Sequence, residues 1–258
     1  MEVRLIGTGS MWSVCNGASY LLDKNVMIDF PNGTFKGMLR QGLDPRMVES
    51  VLITHTHGDH ILDLPVWALS RVKQGANRLH SKIYAPANFV SFLRTLIHGS
   101  FPESVDEAYF EYVTEDTFSI NGCVFKRIPV CHGEKEAYGY MVFDGTRTVS
   151  FSGDTTVCDS LKRMASQSDI LICDTAKLQE TKAHLGVQSV IDLAGAFQDC
   201  SVITTHMNDE TRAELLRREL PENLTVGVDG LVIPEKAAAK NKTAKKQNGG
   251  LTNGADLL

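Results

Sequence analysis

The chain has 258 residues, of which 43% are hydrophobic and 22% charged, a composition that suits one large α/β core and excludes collagen-like, disulfide-scaffold and wholly disordered classes. No apolar run approaches the roughly eighteen residues that a membrane-spanning helix needs, so no membrane association is expected. The net charge of −5 is uneven: residues 235–258 set five lysines against Glu235 and Asp256, which puts that stretch at +3 and the remainder at −8, too acidic for stable nucleic-acid binding.

Residues 2–6 alternate and predict a strand. A strand pattern beginning at Met1 is not a signal-peptide layout, so a cytoplasmic protein is expected. Gly7-Thr8-Gly9-Ser10 follows as a turn rich in backbone donors. No Lys stands in phosphate-loop spacing after it, so a structural turn beside a site is the better reading than a phosphate cradle. Residues 18–23 and 25–29 predict a hairpin whose second strand ends at Asp29. A helix is predicted over 33–41, and the β-branched run Val51-Leu52-Ile53-Thr54 predicts a buried strand. Apolar spacing from Ile61 to Val72 predicts a helix over 60–73. A short strand at 82–84 and a helix over 88–97, with Asn88 as N-cap, come next. Residues 99–116 are irregular. Their aromatics Phe101, Tyr109, Phe110 and Tyr112 suit either edge packing or a lid over a base.

Strands are predicted at 117–130, 138–144 and 147–151, then a helix to about Ala165 and a strand over 169–173 ending at Asp174. A helix over 187–197, a strand over 201–205, a helix over 210–216 and two short strands to Ile233 complete the pattern. Periodicity gives α/β in two β-then-α halves. Residues 1–234 form the expected domain. The tail 235–258, rich in Ala, Lys, Asn and Gly, is expected to be disordered and basic. The six cysteines show no paired short spacing and are expected to be reduced. Cys131 is expected to pack at a strand end, next to His132.

The chemistry concentrates in His55-Thr56-His57-Gly58-Asp59-His60, directly after the Val51–Thr54 run. Imidazole nitrogen and carboxylate oxygen suit zinc and similar divalent ions, and Gly58 would let the backbone turn between ligands. Further candidates recur at strand ends: His132 after Val130-Cys131, Asp154 after Ser152-Gly153, and His206 after Thr204-Thr205. Each alone is more often structural; together with the loop they form a consistent set. His80 and His98 match no motif.

The loop resembles the signature of the metallo-β-lactamase superfamily, and Met1–Ser10 together with the run from Leu22 to His60 resembles its ribonuclease Z branch. That resemblance, over about residues 1–233, implies a four-layer αβ/βα sandwich with two mixed sheets flanked by helices. It implies one metal on His55, His57 and His132, a second on Asp59, His60 and His206, and Asp154 as the bridge. The ions would be two Zn2+ per chain, with Mn2+ the alternative, and their bound hydroxide the nucleophile. Asp29 would buttress the loop from outside the ligand set. Asp59 would serve catalysis as well as metal binding. His184 resembles the non-ligand His of phosphodiesterases in this branch, with Asp174 as its orienting partner where the branch usually has Glu. Gly186 stands where the branch usually has a small hydroxyl residue.

Members that process tRNA 3′ ends carry a basic arm between the equivalents of His132 and Asp154. Here the two are 154 − 132 = 22 residues apart, which two strands and a turn fill. The resemblance therefore runs to insert-free cyclic-nucleotide phosphodiesterases of the anti-Pycsar type. It implies a small nucleotide substrate and a homodimer. A tRNA-processing endoribonuclease, a lactone or thioester hydrolase on the same metals, and a non-enzymatic metal-binding protein are the competing readings.

Overall fold

Two mixed sheets of seven strands face each other in a computed structural model that describes residues 1–75 and 81–235, apart from the side chain of Glu107. His80 and the tail from Lys236 lie outside the described residues, and with them the expectation of a disordered tail. In the first half β1 (Val3–Gly7), β2 (Ser19–Leu22) and β3 (Val26–Ile28) form an antiparallel meander. From β3 the sheet runs parallel through β4 (Ser50–Leu52), β5 (Lys82–Tyr84) and β6 (Glu111–Val113). In the second half β7 (Thr117–Ile120), β8 (Cys123–His132), β9 (Lys135–Phe143) and β10 (Thr148–Phe151) are antiparallel. β10, β11 (Ile170–Asp174), β12 (Ser201–Thr205) and β13 (Leu224–Val226) are parallel. The last strand, β14 (Val232–Ile233), crosses back to pair with β1 and ties the halves together.

Leu5, Tyr20, Ile28 and Leu52 from one sheet meet Phe125, Tyr140, Phe151 and Ile172 from the other in the central core. A second core lies under α1 (Thr34–Arg40), α3 (Leu64–Lys73) and α4 (Ala87–Ser100). A third lies under α5 (Asp159–Ser166), α6 (Val187–Ala196) and α7 (Asp209–Arg217). The result is the expected four-layer α/β sandwich. Parallel strands buried on both faces carry near-continuous apolar runs, as Ile170-Leu171-Ile172-Cys173 does. Because β8, β10, β11 and β12 all run the same way, their C-terminal ends share one edge of the sandwich, where loops can converge on a ligand.

Several local expectations need correction. The helix expected over 60–73 is two helices, α2 (Gly58–Ile61) and α3. Pro65 lacks an N–H and starts the second one, and the Asp63 carboxylate turns aside to accept the Phe35 amide at 2.9 Å. Gly58 makes no left-handed turn. It opens α2, and a Cβ there would come within 3.0 Å of Leu62 Cδ1. α4 begins one residue early behind Pro86, and Asn88 lies inside it with its amide bonded to Glu136 rather than capping. Of the two expectations for residues 99–116, edge packing is the one observed, not the lid: Phe110 packs 5.4 Å from Trp67 between ring centroids, and Phe101, Tyr109 and Tyr112 join the same core. Cys131 is exposed at the end of β8 instead of packed.

Arg147 and Asp144 fasten Met1 and Pro234 to the second sheet. The Arg147 guanidinium donates to the carbonyls of Met1 at 2.8 Å and Pro234 at 2.6 Å, and the Met1 amine donates to Asp144 at 3.2 Å. Burial alone would raise the Asp144 carboxyl, but bonds from the Thr146 hydroxyl and from the Thr146 and Arg147 amides hold it well below the usual carboxylate range. A depressed carboxyl stabilises the fold above its unfolded-state pKa, and that contribution is lost as pH falls below about 4. Asp144→Asn should therefore lower stability by about 1–3 kcal/mol at pH 7. The gap to the native protein, measured by urea unfolding, should shrink as the pH is taken toward 3.

Candidate metal centre

The centre is assembled around Asp29, the residue after β3, in a left-handed backbone conformation (φ 57°) that an L-residue adopts only under constraint. Its carboxylate accepts the Thr54 amide at 2.8 Å and the Thr54 hydroxyl at 2.6 Å, and lies 2.7 Å from His60 Nδ1. This fixes the loop after β4 and the tautomer of His60, so that Nε2 of His60 points inward. That nitrogen is buried without a hydrogen-bond partner, and so is Nε2 of His206. His206 follows β12, also at positive φ (55°), with Nδ1 3.3 Å from Asp174. Unsatisfied buried nitrogens are costly and rare.

A first cluster joins His55, His57 and His132. His57 Nδ1 lies 3.0 Å from His55 Nε2 and 3.2 Å from His132 Nε2. His132 Nδ1 donates to the Ala183 carbonyl at 2.8 Å, leaving Nε2 with its lone pair free. A proton on one of these nitrogens can serve the contacts in part, and a cation among them would satisfy all three lone pairs. Tetrahedral zinc–imidazole bonds would space them about 3.3 Å apart. A second cluster joins Asp59, His60 and His206, with His206 Nε2 3.6 Å from the Asp59 carboxylate. Asp154, after β10 and buried, stands between the two. Its oxygens lie 3.7 Å from His55, 3.3 Å from His60, 3.9 Å from His132 and 3.3 Å from His206. All seven residues expected as ligands thus come together, and their donor sets fit divalent metal.

The electrostatics agree. Burial, followed by the neighbouring His60, pushes His55 well below the usual imidazole range, so it is neutral and ready to ligate. His60 is buried too, yet Asp154 and Asp29 drive it well above that range. His206 likewise rises to about 10 against its burial, through Asp154 and Asp174. Asp59 falls to about 2 although burial opposes it, because His206 and His60 favour its anion. The carboxylates hold protons on these imidazoles where a metal ion would supply the positive charge.

His184 and Asp174 also meet. His184 Nδ1 is 2.9 Å from the Asp174 carboxylate, and its ring stacks 5.4 Å from that of His206 and lies 4.9 Å from that of His132. Its side chain keeps 17% of its exposure, against 0–5% for His55, His60, His132 and His206, so it faces the open side of the cluster. Asp174 does more than orient His184: its second oxygen lies 3.3 Å from His206, and it accepts the Thr155 amide at 3.1 Å. The loop carrying His184 closes through an isolated bridge between Lys177 and Gly186, and Glu180 pins it by accepting from Val157 and Ser189. At position 186 a Cβ would stand 2.4 Å from the Glu180 nitrogen, which excludes the usual hydroxyl residue. The Gly7–Ser10 turn is structural, as expected, because the amides of Thr8, Gly9 and Ser10 are all spent within the protein.

A profile of the β-lactamase superfamily domain matches residues 25–207, more than half of the chain. The chain belongs to this family. Ribonuclease Z of Bacillus subtilis is 26% identical over 245 residues, covering 70% of this chain and 78% of the relative. Among solved structures, a diphosphatase of the PhnP family superposes with a TM-score of 0.71 at 22% identity, covering 91% of this chain and 98% of its own. The short form of human tRNase Z superposes at 0.70 and 19% identity, covering 91% and 99%. These likenesses show the metallo-β-lactamase sandwich and agree with the ribonuclease Z-like branch; the chain is a hydrolase of that class with a divalent-metal site. Within this fold, the Ala183 carbonyl that sets the His132 tautomer carried no sequence signal, since backbone groups leave none. Glu180 could have been suspected only from its place in the loop before His184.

Proposed function

We propose that this metallo-β-lactamase-fold hydrolase is a phosphodiesterase acting on a small phosphodiester, a cyclic nucleotide first of all, with two divalent ions, zinc or manganese. Four carboxylates (Asp29, Asp59, Asp154 and Asp174) converge on the centre, and two dications would balance them. When bound, such ions would supply Lewis acidity and an activated water. His55, His57 and His132 would hold one, Asp59, His60 and His206 the other, with Asp154 shared.

The observation that carries the reading is the non-ligand pair. With Nδ1 engaged by Asp174, His184 presents Nε2 to a reactant beside the metal cluster, where a departing alkoxide needs a proton. A thioester expels a thiolate and makes less demand for such a donor. Residues 133–153 favour a small substrate: between His132 and Asp154 the chain forms only the β8–β9 turn and the paired strands β9 and β10, with no arm to grip a large RNA. The ribonuclease Z relatives favour a second reading, tRNA 3′ processing.

One purified, metal-loaded sample offered 3′,5′- and 2′,3′-cyclic nucleotides, bis(p-nitrophenyl) phosphate and a precursor tRNA decides between them. Turnover of a cyclic nucleotide without cleavage of the tRNA is expected. Efficient tRNA cleavage with inert cyclic nucleotides would overturn the proposal.

A further inference from the structure

The loop between β1 and β2 puts three large apolar side chains into solvent within four positions: Met11 is 63% exposed, Trp12 75% and Val14 91%. Scattered singly, such residues mean little. Here the loop that presents them is held firmly. Ser13 Oγ donates to Asp209 at 2.7 Å, the Asn16 amide donates to Asp229 at 2.8 Å, and the Gly9 amide donates to the Asn16 carbonyl at 2.8 Å. An apolar tip on a pre-organised loop is built to meet something.

What it meets is set by the pocket beside it. A recess of about 290 Å³ is lined by Met11, Pro31, Asn32 and Leu62 among others, and Asp59 forms part of its wall. Leu62 is itself 51% exposed. The recess is therefore continuous with the second metal cluster, within a nucleoside's reach of a phosphate bound there. Asn32 is exposed, and among the described residues its side-chain amide has no protein partner, so a donor and an acceptor both remain free. Met11, Pro31 and Leu62 supply apolar surface within a lining that also holds Ser10 and Ser13, and with the free Asn32 amide they match a flat heterocycle with a hydrogen-bonding edge.

Resting on the phosphodiesterase reading above, we propose that this recess is the base subsite: the substrate's nucleobase lies against Met11 and Leu62, next to the exposed Trp12 that follows Met11 in the chain, with its edge on the Asn32 amide, while its phosphate occupies the metal centre.

Trp12 provides a readout independent of turnover. The chain has two tryptophans, and the other, Trp67, is fully buried, so emission quenchable by iodide comes from Trp12. Titrating the metal-loaded protein with AMP should shield Trp12 from iodide, and ribose 5-phosphate, which lacks a base, should not. Asn32→Ala should reduce kcat/KM on cyclic nucleotides about tenfold more than on methyl p-nitrophenyl phosphate, and it should change the ranking of bases. Equal shielding by AMP and ribose 5-phosphate, or none by either, would overturn the subsite. So would an Asn32→Ala variant that slows all substrates alike or spares the nucleotides. Should the native protein cleave methyl p-nitrophenyl phosphate but no nucleotide, the function reading fails. The subsite is then decided by the Trp12 shielding alone.

Discussion

Asp154→Ala is expected to leave a folded protein with at least one metal ion fewer per chain and no turnover above background on any substrate. Asp154 is the one carboxylate within 4 Å of imidazoles from both clusters. It is 2% exposed, and His206 and His60 hold its carboxyl well below the usual range although burial opposes that, so it is an anion throughout the useful pH range. Without it, the imidazoles of His55, His60, His132 and His206 face an uncompensated centre, and two cations would repel with nothing between them. Circular dichroism should be native-like, because the residue sits on a loop after β10 and outside the three apolar cores. Metal analysis of the variant checks the first part and a rate assay the second. Two ions per chain with normal turnover would show that Asp154 is no bridge.

The second large effect separates proton delivery from metal binding. His184→Ala should slow hydrolysis of a nucleotide with an alkoxide leaving group by about 10²–10⁴-fold. A substrate that expels nitrophenolate should suffer far less, since that group leaves without a proton. Metal content should not change, because Nδ1 of His184 is given to Asp174 at 2.9 Å, although His184 also gathers with Asp154, Asp174 and His206 in a group able to hold an ion. A loss of metal would make His184 a ligand instead. Equal slowing of both substrates would make its role binding or structure. Asp174→Asn cannot be the milder copy of this variant that an orienting role alone suggests. One Asp174 oxygen serves His184 and the other faces the ligand His206. Asp174→Asn should therefore combine a leaving-group effect with weakened metal affinity.

Much of this was legible in the sequence because the ligands sit where periodicity ends. His55, Asp154 and His206 each follow a β-branched, buried strand, His132 closes one, and the His-rich loop brings four donors within six residues. The paired sheets followed from the resemblance, since no local pattern says that β14 returns to β1. The misread details share a cause: a tertiary partner overrode a local preference. Asn88 is a good cap, but Glu136 takes its amide. Gly58 is the exception, since its neighbour Leu62 is local: it looks like a turn residue, yet it opens α2. The packing of the 99–116 aromatics was among the expectations, but their partner Trp67 was not legible from that segment alone. The recess beside Asp59 was equally hidden, because Met11, Asn32 and Leu62 come from three separate loops.

Two ions acting together are what the proposed hydrolysis requires. Protein stripped with a chelator should be titrated with Zn2+, following bound metal and phosphodiester turnover in the same samples. Binding should end at two equivalents per chain, and turnover should appear as the second equivalent is taken up. Full turnover at one equivalent, or in metal-free protein, would contradict the binuclear centre.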